Sequence, residues 1–484
     1  MTQEHTFRKS LNLFDSTAIV IGSMIGSGIF IVSADIARMV GSPGWLMVVW
    51  LITGFMTICA ALSYGELAGM FPRAGGQYVY LREAYNPLTG FLYGWTLFLV
   101  IQTGTIAAVA MAFAKFAGVL IPWISENIVW FQAGVFKFGP VQLVAIGSIA
   151  FLTWVNTMGV REGKKVQNAF TSGKFILLIL FIVAGLGFAA NEKAIDLNMV
   201  TLWEPQSEGP GGADIPLAGM ALVAAIGMAM VGSLFSSDAW NNITFTAGEV
   251  INPRKNIPLS LFLGTFSVTI LYLLANLVYI TVLPVRGSPE GDEVALRGMQ
   301  YALNDRLGTA AISGLFGNYA VIIMAGFIVI STFGCNNGLI LAGARVYYAM
   351  AADGIFFKKV GTLNEKGVPS KGLLIQGIWA GLLCLSGTYG QLLDYVVFAV
   401  LIFYVLTIFG IFRLRRDRPG AERPYMAFGY PLIPMIYILL AAIVMIILFI
   451  YKPAYTWPGL FIVILGIPVF FIWNKTNANK NGKV

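Results

Sequence analysis

The sequence predicts an all-α integral membrane protein with twelve transmembrane helices. Of its 484 residues, 57% are hydrophobic and only 11% are charged, whereas about 25% of the residues in a soluble domain are charged. The mean hydropathy is +0.77, so the chain lacks the polar side chains with which a water-soluble globule would cover its surface. Twelve apolar stretches are each long enough to cross a bilayer, which takes about 20 residues in a helix. The alternating short segments of an outer-membrane barrel are missing.

The predicted spans follow one another along most of the chain. Their bounds are 13–37, 43–69, 88–119, 140–158, 167–190, 217–248, 258–284, 312–350, 371–387, 391–412, 427–451 and 455–473. The eighth span is longer than a crossing needs, and the ninth is short. The predicted organisation is a cytoplasmic N-terminal tail (1–12), a ten-helix core (13–412), two peripheral helices (413–473) and a cytoplasmic C-terminal tail (474–484).

Positive charges predict the orientation of these helices. Of the 31 Lys and Arg residues, 22 lie in the two tails and the even-numbered loops, and seven lie on the opposite face. Cytoplasmic loops carry the excess of positive charge in membrane proteins. We therefore expect a multi-pass protein of the cell inner or plasma membrane with both termini in the cytoplasm. The +8 net charge is spread between apolar segments, which fits orientation in lipid and not nucleic-acid binding.

The side chains that carry most enzyme chemistry are scarce. The only histidine, His5, lies in the N-terminal tail, and the three cysteines (Cys59, Cys335 and Cys384) lie within apolar stretches. They cannot form a His/Cys metal site or a Ser-His or Cys-His catalytic pair. The sequence also has no Walker-type glycine loop. We expect no resident metal or cofactor, no enzymatic activity and no ATP-driven pumping by this chain.

Helix 1 has three glycines, Gly22, Gly26 and Gly28, crowded near its middle. Two interpretations are open. Gly22 and Gly26 are spaced to form a small-residue face for close helix packing. Alternatively, the helix unwinds at Gly26-Ser27-Gly28, and the freed amide groups bind an anion at the N-terminus of the second half-helix.

Helix 6 contains a second candidate break. Its apolar stretch is interrupted by Ser236, Ser237 and Asp238, which are residue types that favour helix caps over helix interiors. An aspartate within the bilayer is costly unless it meets water or a partner. The two breaks are five helices apart, which is the spacing expected for two inverted repeats of five helices with a binding site between them. This spacing favours the unwinding of helix 1.

Several motifs carry a resemblance to a known family. They are GSMIGSGIF at 22–30, SYGEL at 63–67, FPRAGGQYVY at 71–80, FSSDAWN at 235–241, EVINPRKNIP at 249–258, Asn337 with Gly338, Arg345, and ADG at 352–354. In these motifs the sequence resembles the amino acid–polyamine–organocation superfamily, and most of all its L-type amino acid transporter branch. The short tails are typical of bacterial members.

The resemblance implies a five-plus-five inverted-repeat core and an α-amino acid bound between the breaks of helices 1 and 6. The amide groups of Ser27 and Gly28 would bind its carboxylate, and carbonyl groups at the half-helix C-termini would bind its ammonium. Phe235 would also close over the substrate as an outer gate. The expected substrate-binding residues are Met24, Ile25, Gly26, Ser27, Gly28, Phe235, Ser236, Ser237, Asp238 and Trp240.

Three of these assignments stay open between a structural and a functional role. Asp238 either caps the broken helix or contacts the substrate side chain, and Trp240 either packs or contacts substrate. Glu249 lies at the predicted cytoplasmic end of helix 6, near Arg254 and Lys255, and either forms a gate or scaffold ion pair, which is the favoured interpretation, or carries a proton. Glu66 would do the same near Arg73 at the end of helix 2.

Lys174 in helix 5 is the predicted coupling residue. A lysine near a span end commonly extends its ammonium to the membrane surface. The resemblance implies a different role, because sodium-independent members place a helix-5 lysine against the break of helix 1, where sodium-coupled members bind an ion. Ser331 and Thr332 in helix 8 keep a sodium site open as an alternative, since hydroxyl groups can be sodium ligands.

The expected function is therefore sodium-independent secondary transport of α-amino acids by alternating access. Neutral substrates and exchange are favoured, and proton symport or acceptance of cationic amino acids are the alternatives. A membrane enzyme is disfavoured because the catalytic motifs are missing, and a channel or receptor is disfavoured because a receptor would not need two broken helices at repeat spacing. The expected partners are the substrate and lipid. Animal relatives use a cysteine after helix 3 to link a glycoprotein heavy chain, and this sequence has none there through residue 139, so no disulfide-linked subunit is expected.

Overall fold

A computed structural model describes residues 7–134, 136–208, 214–386 and 389–481. Residues 1–6 of the predicted N-terminal tail, including His5, and residues 482–484 of the C-terminal tail lie outside the described residues. So do residues 209–213 of the predicted outer loop and the last residue of the predicted ninth span.

The described chain is mostly helical. Its first ten helices are α1 (Leu13–Met24), α2 (Val32–Val40), α3 (Pro43–Met70), α4 (Gln77–Ala84), α5 (Pro87–Thr96), α6 (Gln102–Leu120), α7 (Pro140–Thr157), α8 (Val160–Phe188), α9 (Glu192–Val200) and α10 (Met220–Ser236). The other nine are α11 (Asn242–Phe245), α12 (Pro253–Val282), α13 (Val294–Arg297), α14 (Leu307–Phe316), α15 (Tyr319–Ala352), α16 (Ser370–Ser386), α17 (Tyr389–Asp417), α18 (Leu432–Tyr451) and α19 (Pro453–Asn481).

Within the described ranges, nine helical segments are long and apolar enough to cross a membrane. One of them joins α5 and α6 through a π-helical turn at Leu97–Ile101. The helices α1, α10, α14 and α16 are apolar but shorter. Three of these, α1, α10 and α16, correspond to predicted spans 1, 6 and 9. The count of twelve crossings and the inverted repeat stay predictions.

The structure corrects two expectations. The predicted eighth span, 312–350, was wrong at its start, because α15 begins only at Tyr319 and residues 312–316 belong to α14. Gly317 separates the two helices with a φ of 51°, a left-handed conformation that glycine adopts easily. The chain is also not purely helical. Two antiparallel hairpins lie in loops: β1 (Phe131–Ala133) with β2 (Phe136–Phe138), and β3 (Gln206–Glu208) with β4 (Asp214–Pro216).

The packing of the helices places both breaks in the interior. The helix α1 packs against α8, α12 and α15, and α10 packs against α2, α3, α17 and α18. The chain from Ala18 to Phe30 is buried throughout. The N-terminal segment crosses one end of this core: the Ser10 and Leu11 amides donate to the Glu249 carbonyl at 2.8 and 3.0 Å, and the Ile251 amide donates to the Leu11 carbonyl at 2.8 Å.

Candidate substrate-binding site

The first break follows directly on α1. This helix begins with a capping box, in which Asn12 and Asp15 each accept a backbone amide of the other. It ends at Met24, and Ile25 is extended, with φ −75° and ψ 99°. A 3₁₀ turn at Gly28–Phe30 precedes α2. The helix therefore unwinds at the glycines, as the second interpretation of the sequence predicts.

The second break lies between α10 and α11. The helix α10 ends at Ser236, and the Asp238 amide donates to the Phe235 carbonyl at 3.1 Å in the turn that follows. Ala239 has a φ of 64°, which costs an alanine about 1–2 kcal/mol. The Asn242 amide then donates to the Ala239 carbonyl at 3.2 Å. This short turn breaks the helix where the Ser-Ser-Asp sequence predicts.

The two breaks are in direct contact. A Cβ atom built on Gly28 would clash with the Ser236 hydroxyl, so only glycine permits this approach. The Tyr272 hydroxyl of α12 lies 3.1 Å from both the Met24 and the Ser236 carbonyl oxygens and can donate its hydrogen to either. Tyr272 therefore bridges the C-terminal ends of both first half-helices. Tyr272 could not be singled out from the sequence, because a tyrosine in an apolar helix carries no distinctive pattern.

Lys174 reaches the first break. Its side chain is fully buried, and its Nζ lies 2.5 Å from the Gly22 carbonyl oxygen, 2.6 Å from that of Ile25 and 3.4 Å from that of Ser331. The ammonium group does not extend to a membrane surface. It lies at the C-terminal end of α1, where the helix dipole favours a positive charge.

Two side chains of α15 bind further carbonyl groups of this break. The Cys335 thiol donates to the Ser23 carbonyl oxygen at 3.0 Å. The Ser331 hydroxyl lies 3.0 Å from the Gly26 carbonyl oxygen and 3.2 Å from that of Ile25. Thr332, by contrast, donates within its own helix to Ile328 at 2.7 Å. Cys335 was not expected from the sequence to have a role here.

Polar side chains on one face of α8 contact α1 along its whole length. From the N-terminal end, the pairs are Lys164 and Asn168 with the Asp15 carboxylate, Gln167 and Thr171 with the Ala18 carbonyl, and Lys174 with the Gly22 and Ile25 carbonyls. The contacts recur about once per helical turn on both helices. We call this set of contacts the α1–α8 ladder.

Asp238 and Trp240 lie in an aromatic cluster. The Tyr404 hydroxyl donates to the Asp238 carboxylate at 2.6 Å. The Trp240 ring is 5.2 Å from the Tyr404 ring and 4.8 Å from the Tyr64 ring, between centroids, and only 2% of Trp240 is exposed. This environment favours the packing interpretation of Trp240. Phe235 is partly buried in the last turn of α10.

Two cavities adjoin the second break. One small cavity lies among α4, α6, α15 and α17, and another lies among α3, α10, α17 and α18. Asp238, Val400 and Tyr404 line both cavities. In the described part of the chain, none of the residues that line either cavity belongs to the break at 24–28.

Glu249 and Glu66 both form ion pairs, but not with the expected partners. Both Glu249 and Arg345 have side chains only 1% exposed, and Arg345 donates to the Glu249 carboxylate at 3.0 and 3.1 Å. Glu66 is bound by Arg415 at 2.6 Å and lies 3.3 Å from Arg423. The predicted pairings by proximity in sequence were therefore wrong.

Comparison with known sequences decides the family. Residues 11–471 match the profile of the family described as Amino acid permease. The chain belongs to the amino acid permease family. This confirms the resemblance to the amino acid–polyamine–organocation superfamily, and, together with the apolar spans of the described residues, it indicates a multi-pass membrane protein.

The similar proteins are amino acid transporters. The chain is 30% identical to human Large neutral amino acids transporter small subunit 2 over 473 residues, covering 96% of this chain and 80% of that protein. It is 28% identical to mouse b(0,+)-type amino acid transporter 1 over 469 residues, covering 96% and 88%. It is also 28% identical to mouse Asc-type amino acid transporter 1 over 474 residues, covering 96% and 81%. The family thus consists of amino acid transporters and not of enzymes.

Proposed function

We propose that the protein is a sodium-independent transporter that exchanges neutral α-amino acids across the membrane by alternating access. The amino acid transporters among its relatives support the substrate class. The observation that carries the sodium independence is the position of the Lys174 ammonium, within 2.6 Å of two carbonyl oxygens of the helix 1 break.

The contacts of Lys174 support the absence of a sodium site. Carbonyl and hydroxyl oxygens are the ligands that a small hard cation prefers, and here the Gly22 and Ile25 carbonyls are bound by the ammonium group. The Ser331 hydroxyl, an expected ligand in the sodium alternative, is itself directed to the Ile25 and Gly26 carbonyls. A second positive charge a few ångströms from a buried ammonium group would be repelled strongly.

The proposed substrate lies between the two breaks. The amide groups of Ser27 and Gly28 bind its carboxylate, and the carbonyl groups of Met24, Phe235 and Asp238 bind its ammonium. Since Gly28 contacts Ser236 in the structure, the breaks move apart when substrate enters. Phe235 closes the outer side in this proposal.

The surroundings of Asp238 support neutral substrates over cationic ones. Its carboxylate accepts a short hydrogen bond from the Tyr404 hydroxyl at 2.6 Å. A carboxylate that already accepts a hydrogen bond from a phenol binds a substrate ammonium or guanidinium group less strongly than an unbound carboxylate would.

The protein acts, in this proposal, in the cell inner or plasma membrane with both termini in the cytoplasm and without a disulfide-linked subunit. The three cysteines, Cys59, Cys335 and Cys384, are all buried. None is accessible for a bond to another chain.

Uptake of radiolabelled L-leucine into proteoliposomes tests the proposal. With unlabelled L-leucine inside, we expect equal uptake when choline replaces sodium outside, and loss of uptake in choline would refute sodium independence. Vesicles without internal amino acid should take up little, even with an inward proton gradient. Strong uptake driven by that gradient would support proton symport, and competition by L-arginine as strong as by L-leucine would support a cationic carrier.

A further inference from the structure

The loop between α6 and α7 forms a hairpin with two chemically different faces. Residues that pair directly across two strands share one face, and successive residues alternate between faces. The pairs are Phe131 with Phe138, Gln132 with Lys137, and Ala133 with Phe136. One face is therefore made of three phenylalanines and an alanine, and the other carries Gln132 and Lys137. We call the first the aromatic face.

We propose that the aromatic face of this hairpin lies in the interfacial region of the lipid bilayer and anchors the outer ends of α6 and α7. Phe131 is 62% exposed and Phe136 is 52% exposed, and the adjoining Trp130 is 54% exposed. Trp is enriched where a protein crosses the membrane surface, and Trp and Phe make up the apolar face of segments that lie in that surface.

The attachment of the hairpin holds it at the membrane surface. The segment leaves an apolar span at Leu120 and enters the next at Pro140. Strand β2 packs against α7 and α16, and a strand of three residues is only about 10 Å long. The hairpin therefore cannot extend far from the bilayer boundary.

The lipid-facing surface continues into the hairpin. On α7, Leu143 is 45% exposed one turn from the outer end, and on α16, Leu382 is 47% exposed. These leucines belong to apolar helices that β2 touches, so their exposed surface faces lipid. Because β2 packs against these two apolar helices and the aromatic face is exposed beside them, lipid, and not a protein partner, is the occupant that we assign.

The polar face carries charges that fit the headgroup layer. The Lys137 ammonium donates to the Glu126 carbonyl at 3.0 Å, and Lys115 lies 3.4 Å from the Glu126 carboxylate in an exposed ion pair. Amphipathic helices that lie in the membrane surface carry aromatic and apolar side chains on one face and lysine on the other, and this hairpin divides its side chains in the same way.

Two matched cysteine variants test this proposal. Because Cys59, Cys335 and Cys384 are buried, a cysteine introduced at an exposed position can be labelled selectively. We would label Phe131→Cys and Gln132→Cys with the fluorophore NBD and reconstitute each into phosphatidylcholine vesicles that contain nitroxide-labelled acyl chains. We expect the nitroxide to quench the label at 131 several-fold more strongly than that at 132, and aqueous iodide to show the opposite order.

A second pair, Phe136→Cys and Lys137→Cys, repeats the comparison if one of the first variants fails to fold, and L-leucine uptake checks that each labelled protein is intact. Equal and strong iodide quenching at both members of a pair would overturn the proposal, since the hairpin would then stand in water. A label at 131 that iodide reaches in vesicles of the purified protein, but not in native membranes, would also overturn it and would indicate a protein partner.

Discussion

The Nζ atom of Lys174 lies 2.5 Å from the carbonyl oxygen of Gly22, in the last turn of α1. A side chain of α8 thereby places a fixed positive charge at the C-terminal end of the broken helix α1, where backbone carbonyls lack helical partners. The protein itself supplies this positive charge, so no cation has to bind there from solution.

Replacing Lys174 by methionine should strongly reduce exchange. The variant keeps much of the side-chain volume but leaves the Gly22 and Ile25 carbonyl groups without their buried donor. We expect L-leucine exchange to fall at least about tenfold, which corresponds to about 1.4 kcal/mol in the transport step. The matched control is Lys115→Met, which removes a lysine that is 39% exposed at the end of α6. Uptake by K174M at the level of this control would contradict the assigned role.

Tyr272→Phe should weaken the link between the breaks without unfolding the protein. Only the hydroxyl that lies 3.1 Å from both the Met24 and Ser236 carbonyls is lost. A hydrogen bond of this kind contributes about 0.5–1.5 kcal/mol, so we expect a severalfold change in the KM for L-leucine and an almost unchanged melting temperature. Tyr319→Phe, at a side chain that is 73% exposed, is the control. An unchanged KM would show that the bridge does not affect binding.

Glu249→Gln should lower both stability and transport. It leaves the charge of Arg345 buried without its carboxylate partner, which typically costs about 3–5 kcal/mol. We expect a poor yield of monodisperse protein and slow exchange. The double variant Glu249→Gln with Arg345→Met removes the uncompensated charge and should recover part of the yield, as measured by size-exclusion chromatography. A single variant as stable as the wild type would exclude a structural role for this pair.

Glu66→Gln should lower the melting temperature. The Glu66 carboxylate is bound by Arg415 and by the Ala427 amide at 2.8 Å, so it ties α3 to the end of α17 and to the segment before α18. The control is Glu422→Gln, whose carboxylate is 70% exposed and pairs with an exposed Arg254. Surface pairs of that kind contribute about 0–1 kcal/mol. Equal melting temperatures for the two variants would argue against a stabilising role for the contacts of Glu66.

The two breaks could be predicted from the sequence because their cause is local. Glycines at 26 and 28 and the Ser-Ser-Asp run at 236–238 are residue types that disfavour a continuous helix, and the structure unwinds at both. The break before Tyr319 was missed because Gly317 and Asn318 interrupt a long apolar stretch by only two residues. Hydropathy identifies apolar segments, but it does not locate the turns of the backbone within them.

The partners of the buried polar groups could not be predicted, because they are far apart in sequence. Tyr272 and Met24 are separated by 248 residues, Arg415 and Glu66 by 349, and Arg345 and Glu249 by 96. The nearby arginines at 73 and 254 were the natural candidates in the sequence, but packing of distant helices decides which cation meets each carboxylate. The position of Lys174 could be predicted only from the family resemblance, since a lysine near the end of a span ordinarily extends its ammonium group to the membrane surface.

The α1–α8 ladder limits how α1 can move relative to α8. Because these contacts are spaced about one turn apart, a sideways translation of α1 would break all of them together. A rotation of α1 about its buried C-terminal end would first break the contacts of Asp15 with Lys164 and Asn168. Lys174 would release last. Weakening the ladder at Asp15 should therefore change the rate at which α1 moves away from α8. Weakening it at Lys174 should change whether the outward-facing and inward-facing states of the transport cycle remain distinct.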